Sequence, residues 1–101
     1  MSQIIVAPTS TDTWWLYVLL CANERFYVGI AKDVEARFEV HRCGKGAFYT
    51  RLNAPVRVVA RERHESRGAA LRAEYALKQL SKARKLAWVA ECGRDGRGER
   101  I

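Results

Sequence analysis

Two runs of aromatic and β-branched residues, WWLYVLLC at 14–21 and FYVGI at 26–30, are separated only by the short segment ANER. Such residues fit a pleated, half-buried surface, and a polar stop between two of these runs predicts a β-hairpin. Side chains alternate along a strand, so the register decides which of them share a face. Pairing Cys21 with Phe26 would put Tyr17 and Tyr27 on opposite faces, whereas pairing Leu20 with Phe26 would put them on the same one. The sequence leaves both registers open.

An isolated hairpin is marginal in water, so the rest of the chain must extend and cover it. Asp33 can cap a helix in which Val34, Phe38 and His41 form the apolar stripe, before the glycines at 44 and 46 end the pattern. The segment GKGAFYTRLNAP reads as a loop, and VRVVARE after Pro55 alternates imperfectly as a third strand. Beyond Ser66, a plausible N-cap, Ala69, Ala70, Ala73, Leu77 and Leu80 recur at helical spacing; Ser81 marks a break before a shorter helix with Leu86 and Trp88. The expectation is an α+β fold, a three-stranded antiparallel β-sheet flanked by helices, with the helices over one sheet face.

A chain of 101 residues has room for one core. The expected organisation is a flexible N-terminal arm at 1–13, one domain at 14–90 and a flexible C-terminal tail at 91–101, whose end GRDGRGERI has little to bury. No run approaches the roughly 20 apolar residues of a membrane span. With no secretory signal pattern and three cysteines lacking a CxxC pair, the expectation is a cytoplasmic protein with reduced thiols and no membrane partner.

Charge narrows the partner. The chain carries a formal +7, and Arg outnumbers Lys 13 to 5; the guanidinium fork suits phosphate oxygens, so an anionic partner is expected and nucleic acid is the simplest. Several side chains are candidates for contacting it. Lys45 and Arg51 flank Phe48 and Tyr49 in the glycine-containing loop, and Lys32 and Arg42 bracket the first helix. Tyr49 divides evenly between packing and base stacking, Phe48 reads as a core anchor, and Trp14, Trp15 and Trp88 read as packing residues. Lys82, Arg84 and Lys85 form a further basic stretch, but the irregular apolar spacing around it argues against a membrane-surface helix.

For the remaining ionisable groups the residues alone allow a structural and a chemical reading. Tyr17 and Tyr27 suit a sheet core, Arg37 a solvated surface, and His41, one helical turn beyond Arg37, a structural hydrogen bond or a solvent-facing role. Glu74 sits four residues before Lys78, the spacing of a helical ion pair worth about 0.2–0.5 kcal/mol. Gly29 allows close approach of a neighbouring element, a bulge or sheet curvature.

In their order along the chain these residues carry a resemblance. LYV at 16–18, YVG at 27–29, Arg37 ten residues beyond Tyr27, HRCGKGAFYTR at 41–51 and Glu74 within LRAEYALKQL together resemble the GIY-YIG nuclease superfamily, in particular its small standalone bacterial members, over residues 14–90. The resemblance implies the GIY-YIG nuclease fold and a metal-dependent DNA endonuclease that hydrolyses phosphodiester bonds, with selectivity for substrate structure as a further expectation. Tyr27 would be the general base, Tyr17 would shape its hydrogen-bond network, His41 would polarise a phosphate, orient water or hydrogen-bond Tyr17 or Tyr27, Arg37 would hold the scissile phosphate, and Glu74 would bind one Mg2+ or Mn2+ ion. Lys32, Arg42, Lys45, Tyr49 and Arg51 would contact nucleic acid, DNA before RNA, in the cytoplasm or at the nucleoid.

Leu16 and Val18 depart from the glycine and isoleucine of the family's first motif. A catalytically weak or inactive nucleic-acid-binding or DNA-repair accessory protein is therefore the alternative, and an interaction protein for an acidic partner a third reading. A protein partner or a homodimer is the further partner expectation.

Overall fold

A computed structural model of the chain describes residues 13–92 in full and the backbone of 98–100. In chain order the elements are strands β1 (Trp14–Cys21) and β2 (Phe26–Ala31), helices α1 (Val34–Arg42) and α2 (Phe48–Leu52), and strand β3 (Pro55–His64). Helices α3 (Arg67–Lys78) and α4 (Lys82–Glu91) and a short strand β4 (Gly98–Arg100) complete them. The strands form one antiparallel sheet in the order β2-β1-β3-β4. The expected three-stranded antiparallel sheet with helices is therefore present, with β4 paired along the outer edge of β3.

Position in the sheet explains the burial of β1. It pairs on both sides, and four consecutive residues, Leu16 to Leu19, are buried. Leu16 and Val18 face a cluster with Val28, Val59 and Leu77, against which Trp88 and Val89 pack; Tyr17 and Leu19 face another with Ala31 and Val34, joined by Tyr27 and Phe38. Helix α1 thus covers one face, and α3 and α4 cover the other. This corrects the expectation of helices on a single face. A strand apolar at consecutive positions needs cover on both sides.

The hairpin register is the one with Leu20 opposite Phe26. Tyr17 lies opposite Gly29 and Leu19 opposite Tyr27, which puts the two tyrosines on one face. The turn closes with the Cys21 amide donating to the Arg25 carbonyl at 2.9 Å, and Glu24 takes a left-handed conformation at φ 64°. The imperfect alternation of β3 has a local cause. Between Val18 and Leu19 the pairing jumps from Ala60 to Val58, so Val59 is an extra residue that enters the cluster beneath α3.

The helix starts follow their caps. The Asp33 carboxylate accepts from the Ala36 amide, Ser66 Oγ from Ala69 and Ser81 Oγ from Arg84. Each such cap contributes about 0.5–2 kcal/mol. Within the stretch read as a loop, Phe48–Leu52 is a short helix. Phe48 is 70% exposed there, which corrects its reading as a core anchor; Thr50, at 2%, is the buried residue of that turn.

The expected flexible arm at 1–13 lies outside the described residues up to position 12, as do 93–97 and 101 of the expected tail. Inside that tail, Gly98–Arg100 pairs with Ala60–Glu62. Backbone pairing with a free strand edge needs no apolar pattern, so composition gave no sign of it. All three cysteines are free thiols. Among the described residues no helix is long and apolar enough to cross a membrane.

Candidate active site

Three elements bring the predicted aromatic and ionisable side chains together. Tyr17 on β1 and Tyr27 on β2 project from one face with ring centroids 6.5 Å apart, and His41 from the last turn of α1 reaches both, at 6.2 and 5.0 Å. Tyr49 of α2 stacks on Tyr27 at 6.3 Å with an interplanar angle of 18°. Asn23 in the hairpin turn donates its side-chain amide to the Tyr49 hydroxyl at 2.8 Å, tying turn to helix.

Two glycines make this packing possible. A Cβ on Gly29 would stand 2.5 Å from the Tyr17 hydroxyl oxygen and 2.7 Å from Cζ, so the open question about Gly29 resolves as close approach: the Tyr17 ring lies over its backbone. A Cβ on Gly46 would meet His41 Nδ1 in the same way. Gly46 therefore lets the loop after α1 close on the imidazole.

A chain of hydrogen bonds runs from the sheet into α2. Tyr17 Oη lies 2.9 Å from His41 Nε2, His41 Nδ1 lies 2.8 Å from Thr50 Oγ1, and Thr50 Oγ1 donates to the Ala47 carbonyl at 2.9 Å. The Ala47 amide also donates to His41 Nδ1, at 3.4 Å, so the tautomer of the imidazole sets the direction of its bonds to Tyr17 and Thr50. Tyr17 is 2% and His41 3% exposed, so neither presents a polar atom freely to solvent.

Burial keeps these groups neutral. It pushes the Tyr17 hydroxyl far above the usual phenol value; the neighbouring Tyr27 adds to the rise and Arg37 opposes it. Burial, helped by the Arg37 guanidinium, lowers the His41 pKa. Because the unfolded imidazole titrates near about 6.5 and the folded one lower, the unfolded chain binds more protons below that value. The stability His41 contributes is present above about 6.5 and is lost as pH falls through the folded value. Melting temperature should therefore drop as pH is lowered from about 7.5 to about 5, with a smaller drop in His41→Gln; equal pH slopes for both proteins would refute this.

Tyr27 is only half-buried and senses more charges. Burial raises its pKa most; the Lys78 ammonium lowers it, the Glu74 carboxylate raises it and Arg37 lowers it. The helical ion pair considered from spacing is present, with Lys78 Nζ 3.3 Å from Glu74 Oε2 and the Glu74 side chain 18% exposed. Mg2+ favours a ligand set of one carboxylate completed by water and phosphate oxygens, and Glu74 is a single carboxylate held by Lys78. Among the described residues no group of three or more His, Cys, Asp or Glu side chains gathers around an ion, so a fuller protein cage is not what this donor set offers.

The candidate nucleic-acid contacts divide. Tyr49 belongs to the cluster. Lys32 lies over the Trp14 ring at 5.5 Å and lines a second concavity with Arg37, while Arg42 forks onto Glu39 at 2.6 and 2.9 Å. Lys45 and Arg51 are exposed. Missed by the sequence reading were Thr50 and Asn23, small polar residues in loop-like sequence with no periodicity to mark them. Missed too was a groove at the outer edge of β2, lined by Arg25, Phe26, Tyr27, Tyr49, Lys78, Lys82 and Lys85.

Comparison with known proteins identifies the family. The family model for the GIY-YIG catalytic domain matches residues 13–87. A UPF0213 protein of Xanthomonas axonopodis pv. citri is 53% identical over 76 residues, which span 75% of this chain and 74% of the relative. A UPF0213 protein of Staphylococcus aureus is 39% identical over 80 residues, 79% of this chain and 98% of the relative. The solution NMR structure of a UPF0213 protein from Bacillus halodurans superposes with a TM-score of 0.51 at 38% identity, covering 77% of this chain and 83% of that one. GIY-YIG proteins are nucleases, which generally use divalent metals and act on nucleic acid. The tyrosines of the hairpin, the matched span and the bacterial relatives all lead to one conclusion: this chain belongs to the GIY-YIG nuclease family, with the small UPF0213 proteins as its relatives.

Proposed function

We infer that the protein is a metal-dependent DNA endonuclease whose reaction is phosphodiester hydrolysis at the Tyr27 hydroxyl. The observation that carries this reading is a half-buried tyrosine, Tyr27, packed on His41 and Tyr49 at an open groove that Lys78, ion-paired to Glu74, also lines. A water molecule attacks phosphorus in line and gives its proton to Tyr27, the P–O bond opposite it breaks, and the leaving oxygen departs with a proton taken from solvent. Tyr27 must first be ionised, which its burial opposes most and Glu74 opposes too, while Lys78 and Arg37 favour it. The Arg37 guanidinium holds the nonbridging oxygens as charge builds on them. A divalent ion, Mg2+ or Mn2+, bound by Glu74 would supply positive charge at the phosphate and cancel the carboxylate's opposition to the phenolate. Tyr17 and His41 act through position: their hydrogen bond fixes the surfaces against which Tyr27 packs.

The Glu74–Lys78 ion pair favours one other reading, an accessory protein that binds nucleic acid without turnover, because the carboxylate already has a partner. One panel separates them: labelled single-stranded, duplex, flap and branched DNA, plus RNA, incubated with Mg2+, Mn2+ or EDTA. Cleavage of DNA only with an ion present is expected, with a preference among the shapes, and Glu74→Ala should abolish the ion's stimulation while binding persists. Binding without cleavage across the panel would establish the accessory reading. Cleavage that resists EDTA would overturn the role of Glu74.

A further inference from the structure

The basic stretch Lys82, Arg84 and Lys85 has no part in the chemistry above, and its place in the fold is unfavourable. All three residues fall in the first turn of α4, which contains no acid. A helix N-terminus already carries positive potential from its aligned peptide dipoles, so cations there repel both the dipole and one another. Ser81 caps the turn but brings no charge. Among the described residues neither Lys82 nor Lys85 forms an ion pair, and neither does Arg25 across the groove.

Lys82 and Lys85 do not project at random. Together with Arg25 and Lys78 they line the groove at the outer edge of β2, and every ionisable side chain in that lining other than the tyrosines is a cation. Tyr27 lines the same groove, and Tyr49, stacked on Tyr27, forms part of its wall. Lys78 links it to Glu74. The concavity thus runs on from the proposed reaction centre, carries concentrated positive charge, and includes a helix end whose potential suits an anion.

We propose that this groove, through Lys82, Lys85 and Arg25, holds the sugar-phosphate backbone of the nucleic acid next to the scissile bond. The proposal rests on the nuclease reading for which bond is scissile, but the binding it describes does not require turnover. It extends the path of the strand from the α1 side, where Arg37 lines a concavity with Lys32, to the β2–α4 side. Lys32 and Arg42 already have partners in Trp14 and Glu39, whereas among the described residues Lys82, Lys85 and Arg25 form no ion pair.

The test is equilibrium binding of fluorescein-labelled DNA, single-stranded and duplex, in EDTA over a range of KCl concentrations. For Lys82→Glu/Lys85→Glu the Kd should rise at least tenfold, and the slope of log K against log salt should become shallower by about 1.4–1.8, the loss of two phosphate contacts. The same substitutions put acids at a helix N-terminus, so melting temperature should hold or rise while binding falls; unfolding cannot produce that pair of results. Lys82→Gln/Lys85→Gln should give a smaller loss in the same direction, and Lys32→Glu/Arg42→Glu should weaken binding less than the groove pair. Unchanged affinity and slope in the groove variants would overturn the proposal. So would a larger loss from the α1 pair, or no binding by the wild type at low salt. A wild type that binds through the groove yet never cleaves would sustain it and remove the nuclease reading instead.

Discussion

Tyr27→Phe is expected to lower the rate of DNA cleavage about 10²- to 10⁴-fold, the range for losing a positioned general base. The substitution deletes one oxygen and keeps the ring, so contacts with His41 and Tyr49 persist and melting temperature should stay near wild type. The loss should fall on kcat, with KM little changed, because the hydroxyl acts on the attacking water and not on the bound phosphate. pH dependence adds a second readout. Tyr27 ionises above the usual phenol range, so the wild-type rate should climb with pH through the neutral and mildly alkaline region, and the Phe variant should lack that climb. A variant that cleaves at the wild-type rate would remove Tyr27 from the chemistry.

The second large effect concerns stability. Gly29→Ala should destabilise the fold by about 3 kcal/mol, the upper part of the range for overpacking a tight core. For a domain of this size that corresponds to a fall of roughly 12 to 24 °C in melting temperature. The new methyl would meet the Tyr17 ring, and the ring has no room to retreat: it is 2% exposed and its hydroxyl is bonded to His41. Tyr17→Leu removes the obstacle, so Gly29→Ala/Tyr17→Leu should be more stable than the sum of the single changes. Strict additivity, or an unchanged melting temperature in Gly29→Ala, would show that the close approach is not what the glycine serves.

Much of this was legible in the sequence because it rests on local chemistry. Asp33, Ser66 and Ser81 marked helix starts through side-chain oxygens that act within three residues. Tyr17, Tyr27, Arg37 and Glu74 stood out by order and spacing. What escaped depends on contacts between distant segments. Thr50 matters only because His41, nine residues earlier, folds back onto it, and Asn23 only because Tyr49 arrives from 26 residues away. Phe48 misled because hydrophobicity does not say which side of a one-turn helix meets the core. Lys82 and Lys85 were visible as charge, but their neighbours Arg25 and Tyr27 belong to the first hairpin, and no one-dimensional pattern connects them.

The outer edge of β2 has one more consequence. β1 is enclosed on both faces and both edges, and the segments that meet at the rim of β2 approach it separately, α2 through the bond from Thr50 to His41 and α4 through Trp88. Grafting the 45–54 segment or the first turn of α4 from a relative should transfer substrate preference while leaving the tyrosine pair where it is, which makes this rim a natural place to re-engineer what the protein recognises.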